Sequence, residues 1–474
     1  MIEQVDEREL IIKHLQAVLT DREETVQLLH AQLNSITGST GWLVFQKLWN
    51  IRERLRLNAF VSRSAIRASG PDWGYTQSKA EIKSKELLAE SGGIGEAFQS
   101  ESLDTAKALL SQSRAMLKGL RENDVRAIAF YLPQFHPIPE NDRWWGKGFT
   151  EWTNVSKARP NFEGHYQPHL PADIGFYDLR IPEVREQQAD LAREYGIHGF
   201  CYHHYWFGGQ RLLERPFSEV LSSGRPDFPF CICWANENWT RRWDGAEKEI
   251  LIAQQHSDDD DRNFIRSLFP AFDDHRYIRI NGKPLLIVYR AAILPEARRT
   301  AAIWREEMRA AGLGEIYLCA AQSFGILDPA PYEFDAAVEF PPHGTPTMDL
   351  TAQTRKTNSH FEGNIYDYLA KALSMIHRPA PEYTLFRTVM PSWDNTPRRQ
   401  DTSAIYINSS PETYEYWLGK AVEYTIAHHT RDERLVFINA WNEWGEGAHL
   451  EPDRRYGHRY LEATRNVLNA VRGS

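Results

Sequence analysis

The segment Trp441-Asn442-Glu443-Trp444-Gly445-Glu446-Gly447 places two carboxylates three residues apart among tryptophans. It follows the apolar run Leu435-Val436-Phe437-Ile438 after Asn439-Ala440, so the pair stands at the end of a predicted strand. Cleaving a glycosidic bond uses such a pair: one carboxylic acid protonates the departing oxygen, and a second carboxylate acts as base or nucleophile. Neighbouring carboxylates also push their pKa values apart, giving one acid and one base near neutral pH. Flat indole faces offer surfaces on which a sugar ring stacks. In an extended strand, residues three apart face opposite ways. Glu443 and Glu446 therefore share a pocket only if the strand ends near Asn442 and the chain turns helically, a turn that Gly445 and Gly447 ease. The alternative gives one glutamate to loop capping and the other to pairing with Arg454 or Arg455.

Other apolar runs end in similar groups. Tyr131, Gln134 and His136 follow the first; His203, His204, Tyr205 and Trp206 close the second; Trp234, Asn236, Glu237 and Trp239 close the third. Glu339-Phe340-Pro341-Pro342-His343 ends the sixth, and Ser392-Trp393-Asp394-Asn395 the seventh. Glu151-Trp152 lies in a long insertion after the first run. Of the adjacent His203 and His204 only one can face a pocket, and His203 is assigned there; adjacency makes the two a poor metal pair. Glu443 and Glu446 are the candidate catalytic residues. The candidate substrate contacts are Tyr131, Gln134, His136, Glu151, Trp152, His203, Tyr205, Trp206, Trp234, Asn236, Glu237, Trp239, Trp393, Trp441, Asn442 and Trp444. Asp258-Asp259-Asp260-Asp261 precedes a helical pattern and reads as a capped first turn rather than an acidic metal motif. With no Gly-rich phosphate loop and no Ser or Cys nucleophile signature, neither a cofactor nor a metal is expected.

These groups need a scaffold that gathers strand ends. Strands are predicted at 126–132, 198–203, 228–234, 285–289, 316–321, 336–340, 386–390 and 435–440, alternating with helical patterns such as 182–195, 259–272, 296–311, 365–376 and 411–429. That alternation predicts an α/β fold, a closed (β/α)8 barrel over residues 125–474 with its active site at the carboxyl ends of the strands. A helical arm precedes it over residues 1–60, then a linker over 61–124 whose best helical periodicity runs from Leu103 to Leu120. In the arm, Ile12, Leu15, Leu19, Val26, Leu29, Leu33 and Ile36 recur at heptad spacing. Two readings stand: a coiled coil joining copies through residues 5–36, or a helix docked on its own barrel. Residues 42–57 set Trp42, Phe45 and Trp49 beside Lys47, Arg52, Arg54 and Arg56, which suits either an anionic membrane surface or a neighbouring helix.

A formal charge of −9 over 474 residues, without a Lys/Arg block, argues against a nucleic-acid partner. The four cysteines sit in apolar strand-like runs and read as buried reduced thiols. The start Met-Ile-Glu-Gln-Val-Asp lacks the basic and apolar regions of a signal peptide, and no apolar run is long enough to span a bilayer. The expectation is a cytoplasmic protein, peripheral to the inner membrane if residues 42–57 bind lipid.

Four stretches together resemble a known family: Ala129-Phe130-Tyr131-Leu132-Pro133-Gln134-Phe135-His136, Gly148-Phe149-Thr150-Glu151-Trp152, Trp234-Ala235-Asn236-Glu237, and the segment 441–447. They resemble the WbsX-like family, described as glycosyltransferases of bacterial surface-polysaccharide synthesis. That family is similar to glycoside hydrolase family 99, the metal-independent endo-α-mannosidases. The resemblance runs from about Val125 to the C-terminus. It implies an oligo- or polysaccharide substrate, lipid-linked forms included, and a retaining mechanism through a 1,2-anhydro sugar. By matching positions, Glu443 is implied as the base for the sugar 2-hydroxyl and Glu446 as the acid/base, with Glu451-Pro452 matching a trailing Glu-Pro pair. The departure is Gly445 where the hydrolase family has His, which singles out this position as one that sets the substrate of this chain apart.

Overall fold

The structure is a computed structural model that describes residues 94–120, 124–241, 246–325, 328–345 and 347–472. The heptad seam over 5–36 and the amphipathic stretch over 42–57 lie outside the described residues.

All eight apolar runs form strands. They are β1 (Arg126–Tyr131), β2 (Ile197–Phe207), β3 (Phe230–Trp234), β4 (Lys283–Val288), β5 (Tyr317–Gln322), β6 (Ala336–Glu339), β7 in two pieces (Leu385–Phe386 and Thr388–Val389) and β8 (Leu435–Ile438). Neighbours pair in parallel, in the order β6-β5-β4-β3-β2-β1-β8. β7 closes the ring by dividing its hydrogen bonds. Its first piece registers Ala337↔Leu385 on β6, and its second registers Thr388↔Phe437 on β8. At the break, Arg387 donates to Glu339 Oε1 at 2.7 Å and to the carbonyls of Met375 and Arg378. Closure leaves no open edge and makes the (β/α)8 barrel that the sequence predicts.

The helices that matter below are α1 (Ile94–Lys118), α2 (Glu151–Lys157), α3 (Pro182–Glu194), α4 (Arg215–Ser223), α5 (Asp258–Ser267), α6 (Ala297–Ala310), α7 (Tyr368–Ile376), α8 (Thr396–Arg399), α9 (Pro411–His428) and α10 (Arg459–Val471). Crossovers through α3, α4, α5, α6, α7 and α9 return the chain to the next strand; among the described residues between β5 and β6 the connection holds the 3₁₀ turn Ala330–Tyr332. The aspartate run forms the first turn of α5, where Ser257 caps the amide of Asp260, as expected of acids at a helix N-terminus. No helix among the described residues is long and apolar enough to cross a membrane.

Strand parity decides which side chains enter the barrel. The ring of Phe130 on β1 meets Phe437 of β8 at 5.6 Å, Phe340 beyond β6 at 4.9 Å and His203 of β2 at 5.9 Å. Side chains from such distant strands meet only in the interior. The neighbouring positions point outward: Tyr131 donates to Gln188 of α3 at 2.7 Å, and Trp234 stacks on Phe264 of α5 at 4.3 Å. The four cysteines are free and buried. From Ala106 onward α1 lies on α9, with Leu109 and Leu117 buried and Arg114 donating at 2.6 Å to Glu415. Gly419 allows this approach, since a Cβ there would stand 2.7 Å from Ser113 Oγ.

Candidate active site

Beyond β8 the chain extends the ladder once, with the Trp441 amide donating to Phe130 O at 2.8 Å, and then turns. Asn442 fixes the start of the turn. Its side chain accepts from the Leu132 amide at 2.7 Å and donates to the Leu132 carbonyl at 3.0 Å, imitating a peptide group between β1 and β8. Asn442–Glu443 pairs antiparallel with Ala448–His449, and Trp444–Glu446 forms a 3₁₀ turn ended by Gly447 at φ 62°. The strand therefore stops where the spacing requires, and Glu443 and Glu446 come to one place.

Arg398, at the end of α8, joins them. Its Nη2 donates to Glu443 Oε1 at 2.5 Å and its Nη1 lies 3.0 Å from Glu446 Oε1. The same guanidinium grips Glu151 with Nε at 3.1 Å and Nη2 at 3.0 Å. Glu151 opens α2 after the capping box of Thr150 and Thr153, and also accepts from Asn154 at 3.0 Å. Three carboxylates thus share one cation in a buried site. Glu151 and Glu443 are buried, whereas the side chain of Glu446 is 26% exposed at the mouth. Burial first, then the charges of Glu446 and Glu151, raise the Glu443 pKa well above the ordinary carboxylate range, and Arg398 opposes them.

Sequence reasoning missed Arg398. The available signal was the pair Arg398-Arg399 closely following the predicted end of the seventh strand. It also read Glu151 as a substrate contact. The structure turns Glu151 instead toward Arg398, with no exposed surface.

The tryptophans of the motif have a different task. Trp441 and Trp444 are buried, and their indole N–H groups donate to Glu451 at 3.0 and 2.7 Å. Gln188 and Tyr177 complete a shell of four donors at 2.6 and 2.8 Å. Burial pushes the Glu451 carboxyl up to about 7 against the pull of these donors. One face of Trp444 lies on His449 at 3.8 Å. The expectation that Trp441 and Trp444 stack on a sugar is therefore corrected, because a fully buried ring has no free face. The same correction holds elsewhere. Tyr131 and Trp234 point outward, as described above; Trp206 donates to Asp260 of α5 at 2.9 Å; and Trp152 is buried against Phe135 and Tyr177. Asn442 is spent on the backbone of β1. His136 is buried with Asp178, Arg180 and Arg215 as its charged neighbours, and burial lowers it to about 4, so it is neutral.

Other expected residues do converge. Gln134 donates to Tyr205 at 2.9 Å, and Tyr205 feels the charges of Glu443, Arg398 and Glu151. His203 faces the interior, and burial, then Arg398, lowers its pKa to about 4. Across the mouth Tyr289 feels both Glu237 and Glu446. Glu237 pairs with Arg290 at 2.5 Å, while Asn236 spends its side chain on the Arg290 backbone. Trp239 stays half-buried, edge-on to Tyr205 at 5.3 Å and Trp144 at 5.8 Å. Trp393 is buried just before α8, and neither its Nε1 nor Gln134 Oε1 has a hydrogen-bond partner among the described residues.

His169, His449 and Asp453 are the one group of described residues that could bring three ligand atoms within 4.8 Å. Their contacts are already those of a hydrogen-bond network. His169 Nδ1 meets His449 Nε2 at 3.0 Å, His449 Nδ1 meets the Glu451 carbonyl at 3.0 Å, and Asp453 accepts from the amides of Arg455 and Tyr456.

A family profile described as glycosyltransferase WbsX matches residues 127–464. Two relatives called uncharacterized protein WxcX, from Xanthomonas campestris pv. campestris strains B100 and ATCC 33913, are each 52% identical over 341 residues. Those residues are 72% of this chain and 49% of each relative, so the chain spans about half the length of the curated relatives it matches. Among solved structures, a glycoside hydrolase-like protein shares 15% identity at a TM-score of 0.47, covering 75% of this chain and 96% of its own. The GH99 endo-α-mannosidase from Bacteroides thetaiotaomicron shares 16% at 0.47, covering 73% and 96%. The profile takes in the barrel from β1 into α10, and the chain belongs to the glycosyltransferase WbsX family.

Proposed function

We propose that the barrel makes or breaks glycosidic bonds of a bacterial surface polysaccharide, or of its lipid-linked precursor, with retention of configuration, and that Glu443 and Glu446 carry the reaction. One observation bears most of the weight: two carboxylates at the end of β8, one buried and one opening to the mouth, meet on a single guanidinium. Glu443, whose pKa is raised, is a strong base once ionised. It takes the proton of the sugar 2-hydroxyl, and O2 bonds to C1 as the C1–oxygen bond breaks. Glu446, at the open side, gives its proton to the departing oxygen. In the second step the acceptor oxygen bonds to C1 as the C1–O2 bond breaks; the acceptor gives its proton to Glu446, and O2 regains its own from Glu443.

Water as acceptor makes this hydrolysis, and a sugar hydroxyl makes it transfer. The family description supports transfer. Gln134 Oε1 and Trp393 Nε1, an acceptor and a donor without partners among the described residues, suit sugar hydroxyls, and the half-buried pair Trp239 and Trp144 offers the aromatic surface that the motif tryptophans do not. The test is incubation with the producing organism's own surface polysaccharide in water enriched in ¹⁸O, read by mass spectrometry. Product ends that carry the label indicate hydrolysis, and unlabelled chains of altered length indicate transfer. No product with native protein, or equal product with Glu443→Gln, rejects the proposal.

A further inference from the structure

We propose that Arg398 is a positioning residue that accompanies the exchange of charge between Glu443 and Glu446, and that position 445 is glycine because Arg398 and Glu151 fill its side-chain space. The inference rests on the two-glutamate reading above and adds to it a third participant, fixed in place by its own anchor.

In the first step Glu443 changes from carboxylate to acid while Glu446 changes from acid to carboxylate. One unit of negative charge leaves one side chain and appears on the other. A cation touching only one of them would favour the start or the end of that step. Arg398 touches both, Nη2 at Glu443 and Nη1 at Glu446, so a delocalised charge faces the carboxylate wherever it forms and no group need reorganise. Glu151 makes this possible: its two oxygens hold Nε and Nη2, which fixes the plane of the guanidinium. A lysine ammonium has the charge but not the fork.

Position 445 is part of the same device. A Cβ on Gly445 would stand 2.5 Å from Glu151 Oε1 and 2.8 Å from Arg398 Nε. Neither atom belongs to a freely swinging end, since each is held by the other. A side chain at 445 and the seated Arg398–Glu151 pair therefore exclude one another. Among the described residues, Tyr205 of β2 faces Glu443, Tyr289 beyond β4 faces Glu446 and, on its other side, Glu237, and His203 of β2 faces Arg398.

The experiment is carboxyl titration by ¹³C NMR of the full chain labelled at glutamate, with the two signals identified by their loss in Glu443→Gln and Glu446→Gln. In Arg398→Gln both midpoints rise by at least about one pH unit, a tenfold gain in proton affinity at each. Arg398→Lys recovers part of the shift. Gly445→Ala, which keeps the arginine but unseats it, moves the midpoints in the same upward direction. Unchanged midpoints in folded Arg398→Gln overturn the inference, and if that variant does not fold, unchanged midpoints in Gly445→Ala do so. Turnover of the polysaccharide separates the two levels. Full turnover by Glu443→Gln and Glu446→Gln rejects the two-glutamate reading itself, whereas their inactivity beside unmoved midpoints rejects the role of Arg398 alone.

Discussion

Two buried carboxylate sites lie on the same loop and are built in opposite ways. Around Glu443, three carboxylates divide one guanidinium, so negative charge exceeds its compensation and protons can change place. Around Glu451, one carboxylate receives two indole N–H groups, an amide and a phenol, with no ion pair among the described residues. The first arrangement leaves Glu446 open toward the mouth. The second is closed, and it fixes the rings that frame the turn on which Glu443 and Glu446 stand. On the proposed reading, similar residue types divide into chemistry and architecture, according to whether their partners carry charge and whether space for a ligand adjoins them.

The sharpest way to break this contrast is to remove each carboxylate. Glu443→Gln and Glu446→Gln are expected to lower turnover about 10²- to 10⁴-fold, the usual worth of acid–base catalysis, with the melting temperature kept. Steady-state kinetics and thermal melts on the same samples check both halves. Gly445→Ala comes next: by unseating Arg398 it misplaces both glutamates without removing either, and a loss of about 10²-fold in kcat is expected. A variant with native rates would mean that the guanidinium is not needed where it lies.

Glu451→Gln should show the reverse profile. Its new NH₂ would confront a donor in a shell built of donors, at a cost of about 1–3 kcal/mol of stability by urea denaturation, with turnover reduced far less than by Glu443→Gln. If stability is unchanged, the architectural role falls. The pH dependence is the finest test. The folded Glu451 pKa, at about 7, lies above its unfolded value, so its contribution to stability is complete below that unfolded value and is lost as pH rises through 7. Glu451→Gln should flatten that slope. For Glu443 the sign concerns rate: the base must be ionised, so activity should fall on acidification through a value above the ordinary carboxylate range. An acid limb near 4 would place the base elsewhere.

Much of the scaffold could be read before folding. The eight runs rich in Val, Ile, Phe and Tyr become eight strands because buried parallel strands need apolar side chains on both faces. That same property hid which tryptophans face the pocket. With both faces apolar, a strand carries no alternation to tell inside from outside, so Trp234 and Trp206 read like pocket residues although they pack under helices. Arg387, which divides β7, was equally silent, because its partners Glu339 and Arg378 lie on other elements.

By itself the sequence determined the barrel's strands and the need for a glycine-assisted turn if Glu443 and Glu446 are to meet. Each follows from local periods and spacings of a few residues. Only the tertiary structure decided who their partners are. Arg398 reaches Glu151 across 247 positions of chain, and Glu451 collects Gln188 across 263. Hydrogen bonds and ion pairs depend on distance in space, and a residue's distance along the chain says nothing of that once the barrel closes.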